Sequence, residues 1–387
     1  MYPFLPLSQT EGGDYYHTNM SALSNICKLS IVAICAMLFA SCESPSGQTD
    51  NIVSFAEVQR VCSFPVTISA SNKVPLLKEP SIGMVAFCIS GDYLIAQLRG
   101  VEYNVEVYSY PQMVYKGRFI NRGNGPREFL NANFAEGNCV YERDGESYVL
   151  FDVMDKDYMF ELNVTESVKE GITEGNVIHS DCRIGDLRRA RLQDDTFLFC
   201  NLIYGDGMRL ERRIFRNGDS YKTPPLEKLN EGVVHSADMM LLDSSIGYNE
   251  KADRIVEASS MRDVVNVYSP DGSFCHSLSV NKSSLSLSRL AQTPREDLRR
   301  YYYGLCSYPN CFALLYIGKT QNEMNIILPS VSIQIFDWDG NALAEIKVPS
   351  FINSFYLDFY RNKLIGFEYE TGDVVSFDVD LSSIPSL

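Results

Sequence analysis

The sequence is poor in the residues that most often carry chemistry. It holds four histidines and one tryptophan in 387 residues. Three of the histidines, His179, His235 and His276, lie in the body of the chain, and no two stand at metal-ligand spacing. There is no Cys-x-x-Cys pair, which removes the common zinc and redox motifs. There is no Gly-x-Ser-x-Gly elbow, so a serine hydrolase of that type lacks its turn. No basic stripe relieves a net charge of −15, and an acidic surface repels phosphate backbones, which argues against nucleic acid. No apolar run reaches the roughly 18 residues that suggest a membrane-spanning helix. Apart from one short segment, nothing reads as helical.

What is abundant is strand. Tyr (23) and Phe (21) are frequent and 45% of residues are hydrophobic, a globular composition that favours pleated structure. The clearest unit is Val264–Val280, two β-rich runs around Ser269-Pro270-Asp271-Gly272. It recurs at Ser332–Val348 with Asp339-Gly340 at the turn, an aromatic at the same place (Tyr268, Phe336) and a terminal valine (Val280, Val348). Pro sets the first corner and Gly takes a left-handed position at no steric cost, so each copy predicts an antiparallel hairpin. A repeated hairpin that cannot bury both faces alone asks for stacking or radial arrangement.

The rest of the chain fits a radial arrangement. Four short strand signals fall between Met84 and Ile120. Similar groups follow at Tyr148–Leu162, Arg189–Arg212, Asp238–Val280, Tyr308–Val348 and Phe355–Val379. The expected fold is therefore all-β, a six-bladed β-propeller of four-stranded antiparallel blades over residues 51–387. The two hairpins stand further apart than a blade of about 40–50 residues allows. Thr293-Pro294-Arg295-Glu296 has the signature of a helix start, so a short helix is expected near Pro294–Arg300, between blades four and five.

The first 41 residues read as an export signal, with Met20 as a candidate true start. Lys28 precedes the apolar run Leu29–Phe39, then Ala40-Ser41, then Cys42, the order of basic, apolar and small residues that marks secretion. Cys42 resembles the lipidated cysteine of a bacterial lipobox. On the other reading it is a residue beside an ordinary cleavage site. Residues 42–50, rich in Ser, Pro, Gly and Gln, form a tether. Of the eleven cysteines, most in the body of the chain sit in apolar runs and read as small buried hydrophobes. Cys306 and Cys311 flank a turn they could also bridge.

The run Gly123-Asn124-Gly125-Pro126-Arg127-Glu128-Phe129, after a strand of the first blade, resembles the Gly-x-Gly-Pro-x-Glu-aromatic segment of the TolB-like six-bladed β-propeller lipoproteins of bacterial envelopes. That resemblance implies the fold and an envelope address, and it implies no defined activity. The segment is not a dinucleotide loop, because Glu128 ends it and no helix follows. Its glycines are expected to supply unusual dihedrals in an inter-blade link, with Pro126 fixing the exit and Phe129 and Leu130 re-entering the core. As a binding loop, Arg122, Gly123, Gly125, Arg127 and Glu128 would line one mouth of the central channel. The acidic groups Asp152–Asp157, Asp194-Asp195 and Asp378–Asp380 lack EF-hand spacing and read as solvated turns, though calcium could be held by ligands from separate blades. Tyr301-Tyr302-Tyr303 reads as strand packing or as a sugar-stacking platform.

Two functions follow. The first is an envelope lipoprotein, anchored through Cys42, that binds or scaffolds a peptide, glycan or protein partner without a cofactor. The alternative is a calcium-dependent lactonase- or lyase-like propeller enzyme, which needs carboxylates or histidines converging in the channel.

Overall fold

Both hairpin turns form as read. Strands Val265–Tyr268 and Cys275–Ser279 pair antiparallel, as do Val331–Asp337 and Ala342–Val348. The Gly272 N–H donates to the Ser269 carbonyl at 3.1 Å and the Gly340 N–H to the Asp337 carbonyl at 3.0 Å. Both glycines take left-handed backbone, at φ +82° and +88°. Short side chains complete the turns: Ser269 Oγ accepts the Phe274 N–H at 2.9 Å, and Asp337 Oδ1 accepts the Asn341 N–H at 2.8 Å.

The computed structural model describes residues 53–55, 58–77, 81–125, 127–153, 156, 158–179, 186–193, 196–280 and 285–385. The leader, Cys42, the tether, Pro126, Cys182 and the Asp194-Asp195 pair lie outside them.

Each hairpin is the outer half of a sheet, and there are six such sheets, all mainly antiparallel. We number them as blades 1 to 6 in chain order. Each begins with its inner strand: Met84–Ser90, Val140–Arg143 extended by Asn133–Phe134, Asp186–Gln193, Ser244–Asn249, Arg299–Ser307 and Ile352–Asp358. Strand accounts for 54% of the described residues and helix for 11%. The apolar core is divided into six clusters, one between each pair of neighbouring blades. Phe119, Phe129 and Phe151 join blades 1 and 2, Phe312, Phe336 and Val267 join blades 4 and 5, and Ile365 with Leu94 joins blade 6 to blade 1. Strands covered on both faces need continuous apolar runs, which is why Phe312–Leu315 and Leu94–Ala96 do not alternate.

Closure comes from the N-terminal segment, which runs along the outer edges of three blades. Val58–Arg60 pairs in parallel with Cys275–Ser279 of blade 4, Val66–Ser69 in parallel with Ala342–Val348 of blade 5, and Ser71–Pro75 antiparallel with Val374–Asp378 of blade 6. This strap is held by Phe55, whose N–H donates to Ser277 Oγ at 2.9 Å and whose ring meets Tyr268 edge-on at 5.8 Å. Phe64 does the same against Phe336, at 5.5 Å. The chain then enters blade 1, so first and last strands close one ring.

The expected helix near Pro294–Arg300 lies earlier. Leu287–Gln292 is helical, capped by Ser286 Oγ on the Arg289 N–H at 3.3 Å, and Leu287 and Leu290 are buried. Thr293 ends it instead of starting it: its hydroxyl donates to the Arg289 carbonyl at 2.7 Å, and Pro294 cannot continue the helix. Only a 3-10 turn, Arg295–Asp297, follows. Further short helices at Val164–Glu170, Pro224–Leu229 and Gln321–Ile326 sit in connections the sequence did not mark.

Candidate functional site

The inner strands share an irregularity at one end. In blade 1, Met84 faces Leu98 while Ala86 faces Gln97, so Val85 is an extra residue. In blade 6, Ile352 faces Glu368 and Ser354 faces Phe367, leaving Asn353 extra. In blade 5, Tyr302 faces Tyr316 and Gly304 faces Leu315, leaving Tyr303 extra. Blade 3 makes the same step between Asp186 and Arg188. In blade 2 the excursion is larger: Phe134 pairs with Phe151 and Val140 with Val149, and the residues between loop out to pair Glu136-Gly137 in parallel with blade 3. Blade 4 alone keeps regular pairing, from Ser244 to Asn249. A bulge bends its strand and re-aims a side chain. Five of the six inner strands depart from regular pairing, all towards the end where the strand begins.

The result is a mouth. Val85, Glu136, Arg188, Ser245, Arg300 and Asn353, one from each blade, line a single hollow there. A second hollow beside it adds Arg99, Asn133, Asp152 and Arg189. Both share Ala86, Glu136, Tyr303 and Asn353 with the channel body, a cavity of about 300 Å³ walled by Phe87, Cys88, Cys139, Cys306, Tyr308 and Tyr356. Channel and mouth are therefore continuous. Tyr303 stands where they meet, 48% exposed, while its neighbour Tyr302 is 1% exposed in the core. The tyrosine run is thus strand packing in two residues and a presented aromatic in the third.

The mouth is charged. Arg188 grips Asp243 with two hydrogen bonds, Nε to Oδ1 at 2.9 Å and Nη2 to Oδ2 at 2.8 Å, and lies 3.7 Å from Glu136. Glu136 accepts the Ile246 N–H at 3.1 Å, and burial raises its carboxyl above the usual range. Arg189 pairs with Asp152 at 3.3 Å. Gln97 and Arg99 both donate to Asn133 Oδ1, at 2.9 and 2.7 Å. Deeper in, burial pushes the thiols of Cys139 and Cys306 up to about 12 and raises that of Cys88. They are protonated, weakly nucleophilic groups at neutral pH. Among the described residues no three His, Cys, Asp or Glu side chains stand close enough to share a metal ion.

The glycine-rich segment lies elsewhere. Gly125, Arg127 and Glu128 line a shallow hollow on the rim between blades 1 and 2, with Tyr103, Arg118 and Thr173. None of Arg122, Gly123, Gly125, Arg127 or Glu128 borders the channel. Nor do the glycines supply left-handed backbone, since neither Gly123 nor Gly125 has positive φ. They supply room. A Cβ on Gly123 would overlap the Glu128 carboxylate, and one on Gly125 would come within 3.0 Å of its Cδ. That carboxylate folds back to accept the Gly125 N–H at 3.1 Å. The left-handed residue here is Ile120, buried, at φ +59°, with its N–H donated to Thr173 Oγ1 at 2.8 Å. Phe129 re-enters the core as expected, against Phe160 at 5.0 Å, but Leu130 is exposed.

Other expectations resolve individually. Cys306 and Cys311 are not bridged: Cys306 faces Ala313 across the hairpin. Cys62 and Cys275 are exposed, not buried. Asp378 pairs with Lys363 and accepts from Asn72 at 2.7 Å, a turn contact to the strap.

No protein-family model and no curated protein sequence matches the chain. Among solved structures it is similar to a member of the DUF4221 family from Bacteroides vulgatus. The identity is 14%, over 81% of this chain and 97% of that one, with a TM-score of 0.56. A Bacteroides fragilis protein described as exported aligns at 12% identity over 85% of this chain and 99% of its own, with a TM-score of 0.48. The first likeness supports the propeller fold and carries nothing about activity.

Proposed function

We propose that the protein is a binding propeller of a bacterial cell envelope, held to its membrane by lipid on Cys42, which takes a ligand at the bulged mouth of its central channel. The observation that carries this reading is the set of register breaks at one end of five inner strands. A propeller closes with regular strands, so five coincident departures are a cost that packing does not require. They open a preformed, polar, aromatic-bearing hollow of the size small ligands occupy. The basic–apolar–small order before Cys42, and the segment like that of the TolB-like lipoproteins, support the address.

The test is a photo-crosslinking residue at Asn353, in the mouth, and another at Arg127, on the rim, in the full chain expressed in its native envelope. An adduct at Asn353 and none at Arg127 is expected. Adducts at Arg127 alone would make the rim segment the binding surface. The anchor is read separately: Cys42→Ala should move the chain from the detergent phase to the aqueous phase, because stable anchoring depends on the acyl chains.

A further inference from the structure

The charges at the mouth do not balance, although the protein as a whole is acidic. Three carboxylates reach it, and each has an arginine or a backbone N–H: Asp243 with Arg188, Asp152 with Arg189, Glu136 with the Ile246 N–H and Arg188. Two further arginines border the same hollows. Arg99 is exposed, and its side chain makes one hydrogen bond, to the neutral Asn133. Arg300 is half-buried, one residue into the inner strand of blade 5, and has no carboxylate partner among the described residues. In a chain of net charge −15, two guanidinium groups without an acid border the adjoining hollows of the mouth, Arg300 the first and Arg99 the second. Beside them Tyr303 is 48% exposed, and Asn133 and Asn353 supply amide groups.

Guanidinium groups recognise carboxylates through paired N–H donors. An aromatic face flanked by amides suits a pyranose ring, whose C–H face stacks while its hydroxyls bond outward. A peptide would instead look for an unpaired strand edge or apolar side-chain pockets. We infer that the mouth binds an acidic sugar, a glycan bearing carboxylates, with Arg99 and Arg300 each meeting a carboxylate in its own hollow and a ring against Tyr303, which borders both. This rests on the reading of the mouth as the ligand site, and it names the ligand class.

The experiment titrates the full chain in detergent with tri-galacturonate, with its methyl ester, and with a glutamate hexapeptide. The uronate should bind, and the ester, which keeps the rings and loses the charge, should bind about tenfold more weakly or worse. Arg300→Gln and Arg99→Gln should each weaken the uronate by a similar factor with an unchanged melting temperature. Tyr303→Ala should weaken ester and uronate alike. The affinity for the uronate should fall with added salt, because exposed charges are screened. Equal binding of ester and uronate, both lost in Tyr303→Ala, would overturn the charge assignment and leave the mouth as the site. Binding of the hexapeptide above the uronate, or of no probe at all, would overturn the acidic-sugar assignment. Uronate binding untouched by all three substitutions would overturn both the assignment and the site.

Discussion

Arg262 offers a direct measurement of what this fold tolerates. It sits in the loop between two strands of blade 4, Arg254–Ser259 and Val265–Tyr268, and is 3% exposed. Its Nε and Nη1 have no hydrogen-bond partner among the described residues. The acid whose charge acts on it, Glu257, is already engaged: Arg212 Nε reaches its two oxygens at 2.9 and 2.8 Å, and the Tyr268 hydroxyl donates to it as well. Burial, and then repulsion from Arg212, lower the Arg262 guanidinium from 12.5 to about 10, against a weaker pull upward by Glu257. Each pKa unit is about 1.4 kcal/mol between charged and neutral forms, so the buried charge costs the folded state on the order of 3 kcal/mol. Arg262→Met keeps an unbranched apolar stem and removes the charge. It should stabilise the protein by about 1–3 kcal/mol at pH 7, read by urea unfolding followed in the far-ultraviolet. The pH dependence has a definite sign. A base whose folded pKa is lowered penalises folding while it stays charged, and the penalty fades as pH rises from the folded value toward the unfolded one. The gap between variant and wild type should be flat below about pH 10 and narrow above it. Both proteins share the same buried tyrosines, so their alkaline unfolding cancels in the difference. A loss of more than about 1 kcal/mol in Arg262→Met would refute the reasoning, since it would mean that the guanidinium contributes more in pairing or packing than its buried charge costs.

Other outcomes follow from particular contacts. Gly123→Ala should cost about 1–2 kcal/mol by displacing the Glu128 carboxylate from the Gly125 N–H, and nothing further in a Glu128→Ala background; equal costs in both backgrounds would return the explanation to the backbone. Arg127→Ala, on the exposed rim, should stay within about 0.5 kcal/mol in thermal unfolding. Iodoacetamide at pH 7.5 should label the exposed Cys62 first and the channel thiols Cys139 and Cys306 slowly, as peptide mass mapping would show; early labelling of Cys306 would mean its thiol is less shielded than its position implies. Phe55→Ala should cost about 3 kcal/mol in denaturant unfolding by freeing the strap from Tyr268, and a cost below about 1 would mean the strap is held by its backbone alone.

The parts of the fold that could be read beforehand are those fixed by neighbours in sequence. Asp-Gly at 271–272 and 339–340 specifies its turn locally, and runs such as Phe312–Leu315 announce strands buried on both faces. The strap could not be read this way. Val58–Arg60 is exposed throughout and pairs only through its backbone with residues far along the chain, so it carries no apolar period. Register breaks are equally silent, because a bulge is a matter of which residue faces which across a hairpin and has no composition of its own. Hence Tyr303 looked like its two buried neighbours, and the mouth went unseen. The glycine-rich segment shows the opposite error. A conspicuous motif invited a place at the channel, whereas its glycines answer to one side chain, Glu128, three to five positions on.

The strap also sets an order of events in time. A ribosome makes it before any blade, yet its partners come late: the hydrogen bonds from Phe55 to Ser277 and from Asn72 to Asp378 span 222 and 306 residues. Contacts of that range carry the loop-closure entropy of almost the whole chain, and they can form only after blades 4, 5 and 6 exist. Until then the three blades present bare outer edges and the early segment waits unpaired, so the interval before the ring locks is the period in which this protein is most open to pairing with another copy of itself.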